Sequence, residues 1–337
     1  MSGPPAEFVE LASLARAYQR SQALAVVAEL GIADLLGEGE RVVDDLAAET
    51  GTHAGTLYRL LRALASIGVF SERADRGFAL TSMGHYLRSD HPLSVRPVVL
   101  MLCSDYEWEA WGELSYSVRT GENAAMHALG TDVWEHRRRH PAAGANFDAA
   151  MRTLSRSSAP GEIAAYDFGR HDVIADVGGG TGAMLAGILR AHPRSRGILF
   201  DQPDVVLGAP DVLAEAGVAG RVEIVAGSFF DNAPPGADAY VLRRILHDWP
   251  DPQCVLILAE IRRVVPDDGR LLVIDGIVGP PNDDPLVKFL DLMMLVSAGG
   301  RERTESEWTT VLSSAGFRLE RTTRGSASTH VLEAVPV

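Results

Sequence analysis

The apolar residues of the chain follow two different periods, and the change falls near residue 170. Before it they recur three and four apart: Phe8, Leu11, Leu14, Ala15 and Tyr18, then Leu24, Val27, Ala28 and Leu30. That spacing lays an apolar stripe along one face of a helix. After it, short β-rich runs alternate with helical stretches. Val173–Val177, Gly197–Phe200, Arg221–Val225, Ala239–Leu242 and Leu271–Ile274 read as strands, with helices over Met184–Ala191 and Cys254–Val264. Strands alternating with helices predict βαβ units and a parallel sheet covered on both faces. Phe317–Thr322 and His330–Ala334 predict a closing hairpin at one edge, and Ala233–Gly236 and Asn282–Pro285 read as loops. No internal repeat is visible.

Within the helical part, residues 44–81 carry a recognisable order. Asp44–Glu49 predicts a short helix, Gly51 a turn, and Ala54–Ala65 a second helix; Gly68–Phe70 and Phe78–Leu80 then read as two strands of a small wing. A winged helix suggests DNA binding or a scaffold for dimerisation. Between Glu40 and Asp90 six arginines face seven acids. A module that reads a groove should be clearly basic, so the scaffold reading is favoured.

Composition adds exclusions. The chain has 337 residues, long enough for two domains, with 46% hydrophobic and 23% charged residues. Its net charge is −14, which repels phosphate backbones and argues against a nucleic-acid partner. Two cysteines, Cys103 and Cys254, cannot build a disulfide framework or a cysteine zinc cage. His136 and His140 are four apart, but Arg137, Arg138 and Arg139 between them read as a solvated helix face, so no metal is expected. Met1–Glu10 lacks the pattern of a signal peptide, and the apolar stretch Ala23–Leu36 is interrupted by Glu29 and Asp34. No membrane partner and a cytoplasmic location are the expectation.

The strongest chemical signal is Asp176-Val-Gly-Gly-Gly-Thr-Gly182, directly after an apolar strand and before a helix. Glycines there permit a tight turn and let a ligand approach backbone N–H groups at a helix N-terminus. Two ligands compete. Gly178, Gly180 and Ala183 satisfy the dinucleotide spacing. Asp176, however, would oppose a pyrophosphate and suits a ligand carrying ammonium and sulfonium charges. Asp201 ends the next strand, where an acid accepts hydrogen bonds from ribose hydroxyls in either nucleotide. A second signal, Leu242-Arg-Arg-Ile-Leu-His-Asp-Trp-Pro-Asp251, follows the fourth strand. It places His247 outside the carboxyl ends of the strands, where open α/β sheets bind their ligands.

These two motifs, followed by Gly299-Gly-Arg-Glu-Arg-Thr304, resemble in content and order the S-adenosylmethionine-dependent small-molecule O-methyltransferases. That family includes plant caffeate and flavonoid enzymes and bacterial polyketide-tailoring enzymes. The resemblance covers nearly the whole chain. It implies a Rossmann-like class I methyltransferase domain with a mostly parallel seven-stranded sheet. A mainly α-helical, winged-helix-like dimerisation domain precedes it. The implied boundaries are 1–95 for dimerisation, 96–160 for a helical connector lining the acceptor pocket, and 161–337 for the catalytic domain. The implied partners are a hydroxylated small-molecule acceptor and a second copy of the chain, and S-adenosylhomocysteine is the implied product.

Residue by residue, the resemblance assigns cofactor binding to Asp176, Gly178, Gly180 and Asp201. Ser228 and Phe229 stand where the family binds adenine, with Ser228 replacing the usual acid. Arg243 replaces a family lysine and offers a fork for the cofactor carboxylate. Ser155 matches a further cofactor contact. His247 matches the family's general base, flanked by Glu302 and by Asp275, which is shorter than the usual glutamate. Phe147 and Met151, four apart on one helix, match acceptor-pocket positions, as do Met293 and Met294; for all four the alternative is plain core packing. Tyr106, Trp108, Trp111, Tyr116 and Trp134 could wall a planar aromatic acceptor, the alternative being helix packing and a dimer interface. Retention of His247 argues against a relative that binds the cofactor but hydroxylates or cyclises. A cofactor-sensing winged-helix regulator and a dinucleotide oxidoreductase are the remaining alternatives.

Overall fold

The computed structural model describes residues 3–337. The chain forms two compact units. One comprises Met1–Trp108 and Arg137–Leu154, the other Glu109–His136 and Ser155–Val337. Residues 96–160 are therefore shared between the units.

The first unit holds a small antiparallel sheet of β1 (Glu40–Val42), β2 (Phe70–Glu72) and β3 (Gly77–Leu80), in the order β1-β3-β2. The helix Val43–Thr50 stops at Gly51, whose φ of 68° is left-handed, and the helix Ala54–Ala65 follows. Leu57, Leu61 and Leu64 recur on one face of the second helix and pack with Leu46, Phe70 and Phe78. The wing strand starts two residues later than its sequence suggests. Gly68 sits at φ +83° and Val69 N–H donates back to the Leu64 carbonyl at 3.1 Å, so this stretch closes the helix instead of extending. The first helix, Ala6–Ala15, buries nothing; Phe8, Leu11 and Leu14 are 65%, 70% and 67% exposed.

Arg137, expected on a solvated face, is buried. Its guanidinium lies 3.7 Å from the centroid of Phe147, its Nε donates to the Tyr106 hydroxyl at 3.3 Å, and Glu107 stands 3.6 Å away. A π-face and a buried carboxylate offset the desolvation that a helix of arginines would otherwise avoid. Arg138 and Arg139 are exposed, as expected.

The second unit is a doubly wound sheet. Its strands are β4 (Val173–Val177), β5 (Arg196–Asp201), β6 (Val222–Ala226), β7 (Ala239–Arg243), β8 (Arg270–Asp275), β9 (Phe317–Arg324) and β10 (His330–Pro336), in the order β6-β5-β4-β7-β8-β10-β9. The first five are parallel; β10 runs antiparallel to β8, and β9 antiparallel to β10. Alternate residues feed two cores. Ala175, Val177, Tyr240, Leu242, Leu271 and Val273 meet the helix Asp251–Val264 on one face. Ile174, Val241, Leu272 and Ile274 meet the helix Ala183–Ala191 on the other. Burial on both faces explains why these strands read as continuous apolar runs. Trp111 and Trp134 pack against a satellite core of Ala110, Ala124, Val133 and Val296. Among the described residues no helix is long and apolar enough to cross a membrane.

Candidate active site

Strand order reverses between β4 and β7, and such a switch point opens a crevice at the carboxyl ends of the strands. Four motif segments end there. The glycine loop follows β4, Asp201 ends β5, His247 follows β7, and Asp275 ends β8.

The loop has left-handed glycines at Gly178, Gly180 and Gly182, with φ of 72°, 61° and 84°. A side chain at Gly178 would strike Ile245, with Phe229 next to it at 3.5 Å. The same test at Gly180 meets nothing within 4 Å, so the loop is open on that side. The Asp201 carboxylate accepts the backbone N–H groups of Gly180 and Gln202, each at 2.7 Å. Burial pushes its carboxyl up, against the pull of those two N–H groups. Asp176 has no exposed surface, and neither of its carboxylate oxygens has a hydrogen-bond partner. Burial raises it to about 7; Arg243 opposes the shift and Asp201 adds to it. A buried acid packed against Gly179, with neither oxygen in a well-formed hydrogen bond, fits a cationic ligand and disfavours a pyrophosphate. The residues present therefore fit an ammonium- and sulfonium-bearing nucleoside better than a dinucleotide.

Phe229, Phe230 and Trp249 form an edge-to-face cluster, with centroids 4.8 to 6.3 Å apart. Ser228 Oγ accepts from Phe230 N–H at 3.2 Å and shapes this turn. Arg243 is caged: it donates to Glu162 at 2.6 Å, Ser155 Oγ at 2.9 Å and Ser158 Oγ at 2.7 Å. Two of its five N–H groups remain for another acceptor. Ser155 and Arg243 are thus in direct contact, and a fully buried carboxylate, Glu162, that no local pattern marks answers the charge of Arg243.

At the far side stands the imidazole of His247, whose side chain is 12% exposed. Its Nδ1 meets Glu302 at 2.9 Å and lies 3.7 Å from Asp275. The other ring nitrogen, Nε2, is 3.7 Å from Asp248. Burial works against the ring's charge, but the carboxylates of Asp275, Asp248 and Glu302 outweigh it and hold His247 up at about 10. Burial also raises Asp275, with His247 pulling it down and Glu302 pushing it up. Glu302 is fixed from behind, since its N–H donates to Asp291 at 2.9 Å. After the helix Pro285–Met293 the chain makes a π-turn over Met294–Ala298, which buries Met294 and leaves Met293 half-buried. Asn123 satisfies the Leu295 carbonyl of that turn at 3.1 Å. Phe147 and Met151 lie in the first unit, where Arg137 covers one face of Phe147.

Residues 111–318 match the model of the O-methyltransferase domain, and residues 12–90 that of the O-methyltransferase dimerisation domain. The chain belongs to the O-methyltransferase family. A phenazine O-methyltransferase of Lysobacter antibioticus is 40% identical to this methyltransferase, covering 95% of this chain and 94% of that one. A mitomycin biosynthesis 6-O-methyltransferase of Streptomyces lavendulae is also 40% identical, over 90% and 86% of the two chains. An O-methyltransferase from neocarzinostatin biosynthesis, crystallised with S-adenosylmethionine and 2-hydroxy-5-methyl naphthoic acid, superposes with a TM-score of 0.82 at 32% identity, over 94% of this chain and 96% of that one. The helical unit and the seven-stranded sheet are thus the two parts of a class I methyltransferase.

Proposed function

We propose that His247 is the general base with which this S-adenosylmethionine-dependent O-methyltransferase activates the hydroxyl of a small aromatic metabolite. The observation that carries the reading is the 2.9 Å contact of His247 Nδ1 with Glu302 at the carboxyl ends of β7 and β8. With Nδ1–H donating to Glu302, the lone pair of the neutral ring is on Nε2, which then serves as the proton acceptor. The cofactor supplies a methyl group already made electrophilic by its sulfonium charge. What remains for the chain is to hold the partners in line and to take a proton. Asp176, Gly178, Gly180 and Asp201 hold the cofactor in this reading, with Arg243 and Ser155 at its carboxylate and Ser228 and Phe229 at its adenine. Met293 and Met294 line the acceptor. A phenol near ~10 and an ordinary histidine near ~6.5 differ by roughly 5 kcal/mol in proton affinity. The carboxylates around His247 narrow that gap by raising the ring toward the phenol.

Radiolabelled methyl transfer to a panel of hydroxylated benzoates, naphthoates and phenazines tests the reading. Label in an ether product is the expected result. Binding of S-adenosylhomocysteine without transfer to any hydroxylated aromatic would reject it.

The methyltransferase also reads as a homodimer joined through its N-terminal domain, without nucleic acid. The exposed Phe8, Leu11 and Leu14 support this, because a contiguous apolar face on a helix with no buried residue calls for a cover. Sedimentation of the wild type as a dimer and of Leu11→Asp/Leu14→Asp as a monomer is the expected outcome. Equal sedimentation of the two would remove this face from the interface.

A further inference from the structure

Arg303, the residue after Glu302, has no exposed surface. A guanidinium so placed needs its charge and its donors answered on the spot. Its Nε and one terminal nitrogen donate to Asp251 Oδ1 at 2.9 and 2.7 Å. The same nitrogen reaches the Trp249 carbonyl at 2.9 Å, and the other terminal nitrogen the Leu246 carbonyl at 3.1 Å. Those two carbonyls bracket His247. The guanidinium also lies 5.0 Å from the ring centroid of Trp308, whose indole N–H donates to the Gly276 carbonyl at 3.0 Å. Gly276 follows Asp275. All three members of the proton-accepting group therefore converge on one cation: Glu302 precedes it, the His247 turn hangs from it, and the end of β8 is tied to it through Trp308.

The Gly300 backbone closes the same joint. Arg301 N–H donates to the His247 carbonyl at 2.8 Å, and any side chain at Gly300 would collide with that carbonyl.

We infer that Arg303 is a positioning residue for methyl transfer: its guanidinium holds the turn 246–249 and so sets the His247 imidazole against Glu302 and Asp275. The inference rests on the reading of His247 as the base. Only a planar fork with five N–H groups serves one carboxylate and two divergent carbonyls together; a lysine has three donors on one point. A misplacement of about 1 Å in a reacting group costs up to ~100-fold in rate, so loosening this joint reaches the chemistry without touching either substrate.

Arg303→Lys and Asp251→Asn test it, each measured for kcat, for S-adenosylhomocysteine binding by calorimetry, and for the His247 titration by 15N NMR. The chain has 10 histidines, and the signal missing in His247→Ala assigns the resonance. Arg303→Lys is expected to lower the high-pH plateau of kcat roughly 10–100-fold with S-adenosylhomocysteine affinity intact. The His247 titration should move toward that of a free imidazole as the ring leaves its carboxylates. Asp251→Asn, at a side chain 47% exposed, should move both readouts the same way and by less. A variant that binds S-adenosylhomocysteine and keeps both the wild-type kcat and the wild-type His247 titration would overturn the inference. If Arg303→Lys does not fold, Asp251→Asn decides alone by the same two readouts. Full activity in His247→Ala would instead overturn the reading of the base, while a shifted titration in Arg303→Lys would still establish the positioning.

Discussion

His247→Ala is expected to slow methyl transfer by roughly 10²–10⁴-fold, the usual contribution of a positioned base, while S-adenosylhomocysteine still binds. The separation follows from the layout. His247 lies after β7 and faces β8 and the third motif, whereas the glycine loop and Asp201 follow β4 and β5. Removing the ring also leaves Asp275 and Glu302 buried without their cation; they are 0% and 3% exposed. Stability should fall with the rate, in a defined window. His247 is raised from 6.5 to about 10 in the folded protein, so its stabilising contribution is complete below pH 6.5 and disappears as pH rises through about 10. The melting-temperature difference between wild type and His247→Ala should therefore be widest at pH 6.5 and below and shrink as pH rises toward 10. Transfer kinetics with labelled donor, and partial rescue by added imidazole, check the catalytic half. A folded alanine variant with an undiminished rate would remove His247 from the chemistry.

Much of the fold is legible because its signals are local. Strands buried on both faces need no alternation, so the runs beginning at Val173 and Ala239 stand out as apolar blocks. The helix Ala54–Ala65 is visible in its leucine spacing. β1 is not, since its three residues pair only with β3, more than thirty positions along the chain. Site residues divide in the same way. Asp176 and His247 stand in motifs with a shape of their own. Glu162 and Asn123 gain their roles from tertiary partners: one answers Arg243 and the other a carbonyl freed by a π-turn. Arg137 misleads for a related reason. Three consecutive arginines describe a solvated face, and only the fold reveals that the first of them meets Glu107 and Phe147. Arg303 stood in plain view, but a motif read for its acid hides the cation beside it.

Two of the three acids around His247, Asp275 and Glu302, should separate by pH. Because the free enzyme holds the ring protonated up to about pH 10, the neutral base grows tenfold per pH unit below that, and kcat/KM should climb accordingly from pH 7. Asp275 stands 3.7 Å from Nδ1 and forms no hydrogen bond through either oxygen, so it acts on the ring through charge alone. Asp275→Asn removes a negative neighbour and should move the rising limb to lower pH by roughly 1–3 units, leaving the ring's orientation intact. Glu302 holds Nδ1 at 2.9 Å and fixes both charge and tautomer. Glu302→Gln can donate its amide N–H to Nδ1, which leaves the proton on Nε2 and no lone pair facing the acceptor. By analogy with acid-to-amide changes in catalytic triads, its plateau rate should fall by up to ~10⁴-fold, a loss no pH restores. Asp275→Asn should keep most of its plateau, because its change is only in where the ring titrates. Profiles of kcat/KM from pH 6 to 10.5 for the three proteins decide it. Equal plateaus for the two variants would mean that the 2.9 Å hydrogen bond does not set the tautomer. An unmoved limb in Asp275→Asn would mean that the base being titrated is not His247.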